Sequence, residues 1–169
     1  MQFRGSRVVS VFSSVVVAAA LLVSSTGSAK ELSNRLGVGF RNAYAYDIPS
    51  IATVYYPSSD TAVLGALGID TEDGASRSAF SGGLRRIIFK EENMNFHMGG
   101  VLTFLSREQS GSSDSGFEMS AVVGGEFFIH GLDSLGITFE TGVGVTNVKK
   151  VRFRTLADNP LRAGMIFYF

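Results

Sequence analysis

Few side chains in this 169-residue chain could carry chemistry, because it holds two His and no Cys. His97 sits in an alternating segment, residues 94–105, that pairs across residues 107–116 with another, residues 117–130. That pairing sets His97 roughly opposite Glu126, with Ser120 on the same face as Glu126. A His beside a carboxylate and a hydroxyl is the set that activates an oxygen nucleophile. The plainer reading is a polar network filling a narrow interior, and it is preferred here. No catalytic site is expected, and His130 at a turn is read as solvated.

Other chemistries lack their ligands. Without Cys there is no disulfide scaffold, thiolate metal site or Cys nucleophile. TEDG at 71–74 has acids but not the spacing of a calcium loop. GVG at 142–144 precedes no helix, so it is not a phosphate cradle. No cofactor and no metal is therefore expected.

The elements that would position these residues have period two, which means strands. In residues 135–146, Leu135, Ile137, Phe139, Thr141, Val143 and Val145 alternate with Gly, Thr and Glu. Segments 94–105 and 117–130 behave alike, and the last runs from 161 to 169. Four earlier strands, less regular, are read at 34–43, 50–56, 62–70 and 78–90. Arg85 and Arg86 are adjacent, so one of them must face outward in a regular strand. A bulge or an interfacial position would relieve that.

These strands are long, about 9–13 residues, against the five or six usual in soluble proteins. One face is apolar along its length and the other is small or polar. That is the two-faced pattern of a narrow membrane barrel with lipid outside. Connections alternate: short at 57–60, 91–93 and 131–134, long at 44–49, 71–77, 107–116 and 147–159. The chain is thus all-β, an eight-stranded antiparallel up-and-down transmembrane β-barrel. Eight strands leave an interior just wide enough for side chains to fill.

The first residues read as an address. Arg4 and Arg7 precede the apolar run VVSVFSSVVVAAALLV, and small residues from Ser24 to Ala29 follow. This is a cleavable signal peptide over residues 1–29, with the barrel at 30–169. The apolar run reaches roughly 24 Å as a helix, short of a ~30 Å hydrocarbon core. Removing the leader takes away two Arg and no acid, which leaves 13 basic and 15 acidic residues, a net charge of −2. So mild a charge gives no broad pull on nucleic acid, and none is expected as a partner.

The terminal segment RAGMIFYF resembles the β-signal that outer-membrane barrels present to their assembly machinery. The matching residues are Arg162, Gly164, Phe167 and Phe169. SIATVYYPSSDTAVLGALGID and GGEFFIHGLDSLGITFETGVGV are similar to hairpins of the small OmpA-like and OmpX-like barrels. The resemblance covers residues from about 34 to 169. It implies a bacterial outer-membrane location with both mature termini periplasmic. No peptidoglycan-binding domain is expected after Phe169, so the anchoring role of OmpA-like proteins is not expected to carry over. Enzymes among such barrels place their sites near the outer rim, whereas the His97–Glu126 pair would lie inside.

Inward positions carry Arg35, Arg41, His97, Glu118, Glu126, Glu140 and Arg162. Buried charges survive only when paired, so at least one interior Arg–carboxylate contact is expected. Expected partners are outer-membrane lipid and lipopolysaccharide, toward whose phosphates the basic run KKVRFR could turn, and the barrel assembly machinery. An external partner is left unnamed. The expected role is structural or interactive, with a narrow pore and a lipid-modifying enzyme as the alternatives.

Overall fold

A computed structural model describes residues 31–42, 48–155 and 161–169. The expected signal peptide lies outside the described residues. The strands are β1 (Leu36–Asn42), β2 (Pro49–Tyr55), β3 (Thr61–Asp70), β4 (Arg77–Glu91), β5 (Met94–Gln109), β6 (Ser112–Phe128), β7 (Leu135–Asn147), β8 (Val151–Thr155) and β9 (Arg162–Tyr168). All pairings are antiparallel, and each of β1 to β7 pairs with the next. β9 then joins β7 to β1, with Gly37 opposite Tyr168 and Arg41 opposite Gly164. The ring closes on eight staves, as expected, because β9 pairs along both of its edges.

β8 continues the last stave. It pairs with β7 from Val143↔Thr155 to Asn147↔Val151, beyond the stretch that β9 covers. The expected long loop at 147–159 is therefore corrected: its first part is a tight hairpin returning as a strand. The long loop expected at 107–116 is corrected too. β5 and β6 run on to Gln109↔Ser112 around a two-residue turn. Ser110 and Gly111 both take positive φ, 52° and 79°, the geometry that matches the twist of a hairpin. The first reads as a loop because polar residues occupy both faces there, and the second because its alternation, with Val151 and Phe153 outside, spans only five residues.

The alternation turns the usual burial inside out. β2 and β3 bury every second residue, among them Ala52, Val54, Ala62, Leu64 and Ala66. Large apolar residues occupy the outer face, with Phe40 70% exposed and Phe80 59%. Aromatics mark two levels of that face. At the loop end Phe80, Phe104 and Phe117 are successive cross-strand neighbours. At the turn end the rings of Phe89 and Phe96 lie 5.9 Å apart, and Phe139 covers Gly125. Eight steps along β5, from Phe96 to Phe104, separate the two levels, about 27 Å of strand before tilt. Above Phe104 and Phe117 the outer positions become Ser106, Glu108, Ser113 and Ser115.

Inside, the turn end is filled by Leu32, Tyr56, Phe128 and Tyr168, all fully buried or nearly so. Asn34, at φ 60°, turns the chain so that Leu32 tucks under the barrel before β1 begins. Toward the loop end Ile48, Ala79 and Leu105 form a second apolar cluster with Val148. The charged residues occupy the interior between these clusters.

Candidate functional site in the barrel interior

Three carboxylates, at successive levels of β6 and β7, organise the interior. Glu126 is nearest the short turns. It accepts hydrogen bonds from Tyr168 Oη at 2.6 Å and Tyr56 Oη at 3.1 Å, and Arg85 Nη1 lies 3.7 Å away. Glu140 stands above it. Arg41 Nη2 reaches its Oε2 at 2.5 Å, and Arg85 Nη2 and His97 Nε2 reach its Oε1 at 2.6 and 3.1 Å. Glu118 is highest, held by Arg162 Nη2 at 3.3 Å, Thr146 Oγ1 at 3.1 Å and Ser120 Oγ at 3.3 Å. Arg154 Nη2 lies 3.9 Å from it.

Among the described residues the fully or nearly buried ions are Arg41, Arg85 and Arg162 against Glu118, Glu126 and Glu140. The signs balance. Taking such charges out of water costs several kcal/mol per ion, and only close pairing with added hydrogen bonds offsets it. Arg85 bridges two levels, because its guanidinium faces both Glu140 and Glu126. Small residues make the space. A Cβ on Gly124 would lie 2.8 Å from Glu140 Cγ, and one on Gly136 would lie 2.7 Å from Glu126 Oε1.

The sequence-expected residues fare unequally. Arg41, His97, Glu118, Glu126, Glu140 and Arg162 are all buried inside. Arg35 is not brought into the network: it precedes β1 at the barrel end and stays partly exposed. It keeps the parity of Gly37 and Arg41, but it lies at the very end of the barrel, short of the buried carboxylates. The expected opposition of His97 and Glu126 is also corrected. His97 stands opposite Gly124, and Glu126 opposite Asn95; the carboxylate that His97 meets is Glu140. Ser120 stands opposite Val101, four positions from His97, or about 13 Å along the strand. The Ser–His–carboxylate set is therefore not assembled.

Arg85, Tyr56 and Tyr168 are interior partners that the sequence reading did not single out. Arg86 faces outward beside the 57–60 turn, 3.7 Å from Asp60, which is the interfacial solution for the adjacent pair. Asp60 also accepts hydrogen bonds from Ser58 and Thr61, which hold its carboxyl below the usual aspartate range. At the chain end Arg162 points in, and Phe167 and Phe169 point out. The backbone of Phe169 pairs with Leu36 in both directions, at 3.0 and 3.2 Å. A Cβ on Gly164 would meet Phe40 O at 2.7 Å.

No protein-family model and no curated protein matches the chain. Its fold is similar to a solved structure, the N-terminal β-barrel domain of Pseudomonas aeruginosa OprF. The TM-score is 0.55 at 10% identity, over 81% of this chain and 98% of that one. At that identity the likeness speaks for the fold alone, a closed antiparallel β-barrel.

Proposed function

We propose that this chain is an integral barrel of the bacterial outer membrane with a closed interior and a non-enzymatic role, structural or in surface interaction. The observation that carries this reading is the inverted barrel. Its outer face is apolar between two aromatic levels, and its inner face is charged and paired. In lipid every backbone polar group must bond within the protein, which a closed barrel achieves. An apolar outer band flanked by aromatic girdles is what a bilayer selects.

In this reading residues 1–29 direct export and are removed, and both mature termini lie in the periplasm. The short turns then face the periplasm, and the 71–76 loop and the β5–β6 and β7–β8 hairpins face outside. Arg162, Gly164, Phe167 and Phe169 serve as the signal to the assembly machinery. Outer-membrane lipid and lipopolysaccharide surround the barrel.

Gel mobility and fractionation test the reading. The unboiled protein should migrate differently from the boiled one and partition with the outer membrane. Identical mobility together with a soluble periplasmic extract would overturn it.

One observation favours a second reading, a narrow pore: charged side chains continue through the interior at three levels. The apolar clusters at Leu32–Tyr56–Phe128–Tyr168 and at Ile48–Ala79–Leu105 favour closure instead. Stable unitary conductance steps in planar bilayers would select the pore.

A further inference from the structure

From the Glu118 level to the loop end the inner faces of β4 to β8 open into a vestibule with a volume of about 650 Å³. Its cations are Arg77, Arg107, Lys149, Lys150, Arg152 and Arg154. They come from separate parts of the sequence, and the register brings them together. Arg77 pairs with Arg107 across β4 and β5, and Thr146 with Arg152 across β7 and β8. Period two then turns Arg77, Arg107, Arg152 and Arg154 toward the same space. Three acids oppose the six cations from inside: Asp114 binds Lys149 at 2.6 Å, Asp70 binds Arg77, and Glu118 lies 3.9 Å from Arg154. Glu108 alternates onto the outer face, and Glu72 and Asp73 lie in the exposed 71–76 loop. Lys150 and Arg152 are exposed at the rim and meet no acid among the described residues.

Like charges gathered in a concavity repel one another and focus a positive field there. An anion entering would relieve that repulsion. Four of the six cations are Arg, whose fork bonds phosphoryl oxygens in pairs. The volume is that of a small-molecule site.

We propose that this vestibule binds a small phosphoryl-rich polyanion, carrying several negative charges, from the loop side of the barrel. Two sources share that chemistry: a free oligophosphate, and the phosphorylated head of a lipopolysaccharide reaching over the rim. Only the direction of approach rests on the outer-membrane reading; the site itself rests on the geometry.

The test uses the folded full-length mature barrel in a zwitterionic detergent, with tripolyphosphate as probe in isothermal titration calorimetry. Tripolyphosphate should bind at low salt and weaken as salt rises. The exposed rim pair K150E/R152E should weaken it about tenfold or more, since hydrogen bonds to charged groups are strong. R107Q should also weaken it, whereas K90E at the opposite end should leave it unchanged. Heat-modifiable mobility shows separately that each variant is folded, so loss of binding is distinct from loss of the barrel. Displacement of tripolyphosphate by lipopolysaccharide would identify the lipid head as the source; failure to displace it would identify the free anion. No binding by the wild-type protein, or binding that K150E/R152E and K90E change equally, would overturn the proposal.

Discussion

Arg85 and Glu140, 55 residues apart in sequence, meet at 2.6 Å inside the barrel, each side chain only 1% exposed. The same carboxylate also takes Arg41 and His97. One acid thus anchors groups from β1, β4 and β5 to β7, tying opposite walls of the barrel together. E140A leaves those buried groups without their shared partner and should lower unfolding stability by about 3–5 kcal/mol. Urea-driven unfolding of the vesicle-inserted barrel measures it. The double variant R85M/E140M should lose less than the two single losses added; strict additivity would show that the pair is not coupled.

Tyr56 and Tyr168 both donate to Glu126, and their rings lie 6.1 Å apart. Y168F removes the shorter bond and leaves a buried carboxylate oxygen short of a donor. A loss of about 1–3 kcal/mol is expected, read in the same unfolding experiment. A Y168F protein as stable as wild type would contradict the assignment of Glu126 as a bonded, buried acid.

Gly124 and Gly82 separate close approach from open space. A Cβ on Gly124 would lie 2.2 Å from Phe139 O, while one on Gly82 would meet nothing within 4 Å. G124A should cost about 1–3 kcal/mol by overpacking. G82A, on the outer face, should be close to neutral. Equal effects would mean that Gly124 does not make room for Glu140.

Much of the fold was legible because period two survives wherever one face is apolar. It failed at 107–116, where the strands are polar on both faces, and at 147–159, where only the short run Val151–Thr155 alternates, Val151 and Phe153 outside and Arg152 and Arg154 inside. Arg85 was hidden for a different reason. Counting outward from Phe80 puts Arg85 inside, but counting back from Phe89 puts it outside. The register shift between Ile87 and Phe89 reconciles the two counts, and nothing in the composition announces it. The interior charges were legible by face, yet their partners were not. Pairing within a hairpin follows from the chain, whereas contacts across the lumen, such as Arg41 to Glu140, depend on closure and stagger.

The depressed carboxyl of Asp60 carries a pH dependence. A carboxyl held low in the fold stabilises the 57–60 turn fully above the usual aspartate range, and that contribution fades as pH falls through the folded value. S58A removes the strongest of its hydrogen bonds and should move the titration up toward ordinary aspartate. Carbon-13 NMR of the side-chain carboxyl reads it directly; an unmoved titration would contradict the bond.

Phe169 is exposed on the outer face while its backbone pairs with Leu36. F169A keeps that backbone pairing. It should refold from urea into vesicles much as wild type does, yet accumulate poorly in the outer membrane of living cells. Normal accumulation would remove Phe169 from the assembly signal.

In the outer-membrane reading the apolar face meets lipid and the charged face does not. Because the chain has no Cys, single cysteines carrying a nitroxide can be placed at will. Consecutive sites along β5, from F96C through F104C, should be probed by electron paramagnetic resonance in lipid vesicles. Alternation is expected: oxygen relaxes the labels at 96, 98, 100, 102 and 104 and a water-soluble nickel complex does not, while the labels at 97, 99, 101 and 103 are shielded from oxygen. High nickel accessibility at 98, 102 and 104, or no alternation at all, would contradict it.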